Sequence, residues 1–367
     1  MHPIIKPMLR RSWRDRHTVR YGVTPSHSVL FGPLDGATET FLTLLDGTRG
    51  MPALREAAVR LGLDGDTAEQ IADRLTAAGV LEDATADRQA AAQVTDGLRP
   101  DLASLSLLDP EPGGGLRRLL ARRGARVQVR GAGRVGATLA ATLARAGVGT
   151  VEVVDGGRVE PPDTAPGGVR PEQAGERRSE AARRVVRESV PWRRGPGPVR
   201  DRRRGGPQLV IYAPREGTSA YVLDPGLSEG AQRAGTAHLF AGVVEATGFY
   251  GPLVRPGVTG CAGCLLRARA QREPGWPLLV SQWRNGRLPG VPACDTALAT
   301  AVAGLAAAEA LRFLDGVAPP GPSVRTEVIL PELSVRRHTI EPHADCSCGA
   351  ARQAPVAEAV AGPGASG

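Results

Sequence analysis

The chain has 367 residues, 41% of them hydrophobic and only 4% aromatic, and a formal net charge of +8. This length suits two or three domains with a sizeable core. No apolar run reaches the roughly 18 residues of a membrane span, and Met1 to Pro7 lacks the apolar stretch of a secretory signal, so a cytoplasmic protein without a membrane role is expected. Lys6 is the only lysine among 46 basic residues, which excludes any chemistry that needs a lysine further along. Arginine holds phosphate, but with a different shape and hydration.

Residues 1–83 read as a small separate domain. Ser28 to Phe31 has the composition of a strand, and Asp35 precedes a helix bearing Phe41, Leu42, Leu44 and Leu45. Asp46-Gly47-Thr48-Arg49 is a turn. Pro52 suits the first turn of a second helix. Asp66 with Glu69 reads as a capping-box variant opening a third helix, which Gly79 ends. Ile71, Leu75 and Ala78 share one face of it, and Val80-Leu81 is a return strand. Three short helices with small strands suggest a winged-helix-like module. A DNA reader of that shape needs a basic recognition helix, whereas the third helix carries Asp66, Glu69 and Asp73 against Arg74 alone, so nucleic acid is not the expected partner.

Residues 84–117 are rich in Ala, Asp, Pro and Gly and read as a linker containing some helix. Residues 118–349 form the expected α/β body, and 350–367 an Ala/Pro/Gly-rich disordered tail. The body opens on Arg126 to Arg130, then Gly131-Ala132-Gly133-Arg134-Val135-Gly136, then Val151 to Asp155. Strand, glycine turn, helix, strand and acid form a unit that seats a nucleotide. Gly131 permits the turn, Gly133 lets a phosphate approach bare backbone, and Gly136 lets helix and strand pack. Asp155 could accept hydrogen bonds from a ribose. Further strands are expected at 208–212 and 238–244, an Ala/Leu-rich helix at 297–314, and a closing hairpin of 324–330 with 334–340 around Pro331-Glu332.

Cys261-Ala262-Gly263-Cys264 and Cys346-Ser347-Cys348 form two close pairs far apart in sequence. Four thiolates suit one tetrahedral Zn²⁺ with no open position, hence a structural role. Free thiols are the alternative, and a reducing compartment disfavours a disulfide. Cys294 reads as a small buried residue, a thioester-forming nucleophile being the sharper alternative. Eleven arginines lie between Arg177 and Arg204, a solvated face or a grip for an acidic partner. His238 and His343 read as structural or surface residues. The glycine loop with Asp155 would also suit an NAD-dependent oxidoreductase, but no His-plus-acid relay accompanies it.

The glycine loop, Asp155-Gly156-Gly157-Arg158-Val159-Glu160 and the paired cysteines together resemble the ThiF-like family, the ubiquitin-activating type of adenylating enzyme. The resemblance implies a Rossmann-like α/β domain with a mainly parallel sheet, preceded here by the winged-helix-like domain. It also implies ATP with Mg²⁺, a homodimer, and a nucleotide site drawn from Gly131, Gly133, Gly136, Asp155, Arg170 and Arg178. The chain departs from the family pattern. Gly157 replaces an acid, Asp163-Thr164-Ala165-Pro166 stands where an Asn belongs, Arg178 replaces a lysine, and Arg215 follows Pro214 where an aspartate is expected. Mg²⁺ needs negative ligands, so these departures speak against adenylation.

Gly251-Pro252-Leu253-Val254-Arg255-Pro256-Gly257, Thr259 to Cys264 and Pro274-Gly275-Trp276-Pro277 resemble the cyclodehydratase-associated branch of that superfamily, which serves thiazole/oxazole-modified peptide biosynthesis. This implies that the first domain binds a precursor leader peptide and that the chain presents it to a YcaO-type partner that uses ATP. Val29, Leu30 and Phe31 would be the receiving strand edge, with Ile71 and Leu75 as a wall, unless these residues are simply core. The alternative is an active adenylyltransferase acting on a peptide or carrier-protein carboxylate.

Overall fold

The computed structural model describes residues 1–85, 88, 94–192, 206–286, 291–317 and 322–353. The chain divides into one unit of residues 1–124 with 145–147 and 190–201, and a second made of the rest.

In the first unit, β1 (Pro3–Ile5) precedes an antiparallel meander of β2 (Arg11–Asp15), β3 (Thr18–Tyr21) and β4 (Val29–Phe31). Helices α1 (Gly36–Thr43), α2 (Met51–Arg60) and α3 (Thr67–Ala77) follow, and β5 (Leu81–Asp83) returns to pair with β1. Asp35 caps α1 by accepting from Thr38 N at 2.7 Å. Gly79 closes α3 with φ +70°. The capping box expected at α3 is not formed. Asp66 already has helical backbone angles and bonds no amide, while Glu69 pairs with Arg55 of α2. Val19, Tyr21, Phe31, Phe41, Leu42, Leu54, Ile71 and Leu75 share one core.

The stretch expected as a linker folds into this unit instead. α4 (Arg99–Leu108) and α5 (Gly114–Gly124) pack together through Leu105, Leu116 and Leu119, with Trp192 against them. The Pro and Gly that read as loop have helical uses. Pro100 sits in the first turn of α4. Gly115 allows close helix approach, since a Cβ there would lie 2.7 Å from Ser106 N. Lys6 ties the N-terminus to α4. It is fully buried, and its Nζ donates to the carbonyls of Ser106 (2.5 Å) and Asp109 (2.9 Å). Ser106 Oγ in turn donates to the buried Glu82 at 2.6 Å.

The second unit is built on a seven-stranded sheet. Its elements in chain order are β6 (Arg126–Arg130), α6 (Arg134–Arg145), β7 (Thr150–Val154), α7 (Arg178–Ser189), β8 (Leu209–Tyr212), α8 (Thr218–Tyr221), α9 (Pro225–Arg233), β9 (Ala237–Val244), β10 (Thr247–Val254), α10 (Ala262–Arg272), α11 (Trp276–Asn285), α12 (Thr296–Leu314), β11 (Ser323–Ile329) and β12 (Ser334–Ile340). The strand order is β12-β11-β10-β9-β8-β6-β7. β7, β6, β8 and β9 are parallel, and β10 to β12 continue antiparallel. β8 is buried along its whole length, as a central parallel strand should be. The β9–β10 hairpin has no Gly or Asn at its tip. Glu245 and Ala246 take positive φ (+49° and +61°) themselves, so the usual sequence signal for a tight hairpin is missing.

Among the described residues, α12 is long and apolar enough by length and composition to cross a membrane, contrary to the reading of the sequence. Its inner side, Leu298, Val302, Ala303, Ala306 and Ala310, is buried in the core, and the helix packs on β9 and β10, which accounts for its apolarity. Ala350, expected to open the disordered tail, is buried and starts a four-residue helix; residues 354–367 lie outside those described.

Lys6→Met removes the donor to two buried carbonyls and leaves Glu82 without its nearby positive charge. It should cost about 3 kcal/mol in urea unfolding of the full chain; a loss below roughly 1 kcal/mol would show that the lysine is not a tie.

Candidate functional site

The glycine loop joins β6 to α6, and packing dictates two of its three glycines. Gly131 has φ +115°, and a Cβ there would lie 1.9 Å from the Ala213 carbonyl at the end of β8. A Cβ on Gly136 would lie 2.2 Å from the Gly131 carbonyl. Gly133, the position that should leave backbone bare for a phosphate, instead faces Arg215, whose Cα is 3.2 Å from the position of a Cβ.

Asp155, Arg178, Asp163 and Arg215 meet at this loop, with Glu160 and Arg134 beside them. Asp155 accepts from Ala132 N (2.9 Å), Gly157 N (2.8 Å) and Arg178 Nε (2.9 Å). The expected ribose acceptor thus spends most of its lone pairs inside the protein. Arg178 also donates to the Arg158 carbonyl at 2.8 Å and lies 3.4 Å from Asp163. Its guanidinium occupies the space beside Gly157, where a Cβ would be 1.9 Å from Nη2, so a larger side chain there would displace it. Asp163, 1% exposed, accepts from Glu160 N at 2.9 Å and from Arg215 Nε at 2.5 Å. Arg215 Nη2 reaches Glu160 at 2.6 Å. Burial pulls the Arg215 guanidinium down, but its bond to Asp163 and the charges of Asp163, Glu160 and Glu216 outweigh that and leave it raised. Arg134, first in α6, donates to the carbonyls of Pro162 (2.6 Å) and Cys294 (2.8 Å). The cavity lined by Gly133, Arg134, Asp163, Arg215 and Cys294 is about 10 Å³, room for roughly one water.

Arg170 does not join this cluster; its guanidinium pairs with Glu188 at the surface. Burial pushes the half-buried Cys294 thiol up, the opposite of an activated nucleophile. His238 is fully buried against Tyr212 and Phe240, and burial lowers its pKa; it is a structural histidine. Of the arginine run, Arg184 forms two bonds to Glu176 and Arg183 donates to the Val153 carbonyl. Residues 193–205 lie outside those described. Of the residues expected to receive a peptide, Leu30 is half exposed and Val29 partly buried on β4, which among the described residues pairs only with β3. Phe31, Ile71 and Leu75 are core residues, so Ile71 and Leu75 form no wall. Arg74 of α3 lies over the Phe31 ring instead, 4.6 Å from its centroid.

The two cysteine pairs do converge. Cys261 and Cys264 stand around the start of α10, and Cys346 and Cys348 follow β12. All four Sγ atoms lie within 4.8 Å of one another, with contacts of 3.8 Å (261–264), 3.7 Å (261–346) and 3.5 Å (264–348). A tetrahedron with metal–sulfur bonds of 2.3 Å has edges of about 3.8 Å, so the cluster could hold one metal ion through four sulfurs. Contact with Cys264 pushes the Cys261 thiol up, and the same contact holds Cys264 down to about 4.

Residues 112–199, which span the glycine loop and the buried acids, match the ThiF family. Over these residues the chain is similar to the ThiF family. No curated protein matches the chain. Solved structures share the fold. One of E. coli MccB with AMPCPP and selenomethionine-labelled MccA has a TM-score of 0.70 and 14% identity over 95% of this chain and 100% of that one. The microcin C7 biosynthetic enzyme MccB in complex with N-formylated MccA has 0.68 and 15%, over 95% and 100%. PaaA has 0.62 and 14%, over 91% and 98%. Within this ThiF-like domain, sequence reasoning missed Arg134, Glu160 and Asp163 as parts of one network. Only Asp163 stood out, as a departure from the family pattern; Arg134 and Glu160 gave no signal, since the partners lie 28 to 55 residues apart.

Arg178→Met leaves the buried carboxylate of Asp155 without its cation, while Asp163 keeps Arg215, and should cost about 3 kcal/mol. Arg170→Met, at an exposed pair, should cost less than about 1 kcal/mol. Parallel denaturant titrations check the contrast, and equal losses would refute the buried network.

Proposed function

We propose that this chain binds the leader of a ribosomal precursor peptide on its N-terminal unit and presents it to a YcaO-type cyclodehydratase partner. Its ThiF domain then serves as a scaffold rather than an adenylating centre. The observation that carries this reading is Arg215 lying on Gly133 and bonded to Asp163. The place that bare backbone would offer a phosphate holds a paired cation, and the acids that Mg²⁺ would need are engaged by arginines. The shared fold with MccB, whose structures contain MccA, supports a peptide as the partner.

The first unit suits that task. The outer edge of β4 is free of strand partners among the described residues, and an extended peptide can add there as a fourth strand. Exposed Leu30 and Arg74 flank that edge. Cys261, Cys264, Cys346 and Cys348 would hold Zn²⁺. When bound it would cross-link the start of α10 to the chain after β12 and leave no position open for chemistry. The location would be cytoplasmic and the assembly a homodimer. The second reading is an active adenylyltransferase, favoured by the likeness to MccB solved with ATP.

Precursor leaders titrated against the full chain by fluorescence anisotropy should bind, and Leu30→Asp with Arg74→Glu should weaken binding at least about tenfold. ATP–pyrophosphate exchange should stay at background with or without peptide; peptide-dependent exchange would establish the second reading instead. Elemental analysis should find one zinc per chain. Cys264→Ser should lose it and lower Tm by about 10 °C or more; a metal-free wild-type chain of unchanged Tm would overturn the zinc assignment.

A further inference from the structure

The second unit contains a cavity that the proposed function does not use. It measures about 440 Å³, within the usual range for small-molecule sites. It lies where the antiparallel half of the sheet meets the far end of α12. Thr296, which bonds Arg134 beside the glycine loop, opens that helix. Glu309 and Arg312, which line the cavity, come about 20 Å further along it, so the cavity is distinct from the loop.

Three arginines reach the cavity from three different elements: Arg255 after β10, Arg312 on α12 and Arg337 on β12. A single acid, Glu309, faces them. It is taken up by Arg312 in a two-bond pair, Nη2–Oε1 at 2.5 Å and Nε–Oε2 at 3.1 Å. The side chains of Arg255 and Arg337 form no ion pair or hydrogen bond among the described residues, although most arginines around the glycine loop are paired. Thr259 and Thr326 line the same space. Thr259 Oγ1 accepts from Arg255 N at 2.9 Å, which leaves its proton free to be donated. Leu253, Pro322, Val324 and Val335 add apolar wall beside Tyr250 and Ser323.

Two arginines without partners among the described residues, lining one concave space with two threonines, match the chemistry of a carboxylate or phosphate group. We infer that this cavity is a second ligand site, which takes a small molecule with an oxyanion head and a partly apolar body. Arg255 and Arg337 grip the head. Arg312, held by Glu309, adds positive potential without giving up its own bonds. The inference does not depend on the precursor-peptide reading.

Calorimetric titration of the full chain at fixed ionic strength tests this, with inorganic pyrophosphate and citrate as probes for phosphate and carboxylate heads. At least one should bind with one site per chain. Arg337→Ala, a change at an exposed position, and Arg255→Ala should each weaken it about tenfold. Glu309→Gln should tighten it, by removing the one opposing charge. Arg60→Ala, which removes an exposed charge from the first unit, should change nothing. If Arg255→Ala does not fold, Arg337→Ala and Glu309→Gln decide. Preference for one probe identifies the head group. The site is refuted if neither probe binds the wild-type chain, or if Arg60→Ala weakens binding as much as Arg337→Ala.

Discussion

A carboxylate removed from water must be matched by positive charge and hydrogen bonds, or it destabilises the fold by several kcal/mol. Asp155 and Asp163 impose this constraint on the second unit. Each is almost fully buried on its side chain, and each is answered by an arginine that reaches across the glycine loop. Asp155 joins the loop, through Ala132 N, to the turn after β7, through Gly157 N. Asp163 fixes the 160–163 turn and draws Arg215 from the far side of β8. The glycine loop and the turns after β7 and β8 are therefore clamped together by charge.

The two halves of the sheet divide the labour. The parallel half carries the loop, as α/β sheets do at the carboxyl ends of their strands. The antiparallel half carries no part of that network. It ends in an exposed edge strand, β12, and leads directly into Cys346 and Cys348. Bringing those thiols to Cys261 and Cys264 joins the end of the sheet to a helix about 80 residues earlier. A metal held by four sulfurs would cross-link these elements much as a disulfide does.

The first unit depends on a buried charge of its own. Lys6 stands beneath α4 and bonds backbone carbonyls in preference to a carboxylate. Burial pulls its pKa down, while the charges of Glu82 and Asp109 pull it up. This fastens the N-terminal strand to helices that a composition-based reading assigns to a linker. Pro and Gly mark loops only on average. Pro100 at a helix start and Gly115 at a helix crossing are the exceptions that geometry creates.

The sequence by itself determined the local features. These include the strand–glycine–helix unit, Asp35 as a cap, the closing hairpin of β11 and β12, and the cysteine pairs as two halves of one cluster. Each is set by residues close in the chain or by a residue type with few alternative uses. Tertiary structure decided what those features can do. Only folding brings Arg215 onto Gly133 and turns Asp155 inward. It buries Ile71 and Leu75 instead of leaving them as a wall, and forms a β9–β10 hairpin whose tip residues carry no turn signal. It also gathers Arg255, Arg312 and Arg337 around one cavity. The physical reason is that an ionised side chain takes its meaning from whatever desolvates and neutralises it, and those partners are chosen by the packing of distant elements rather than by neighbours in sequence.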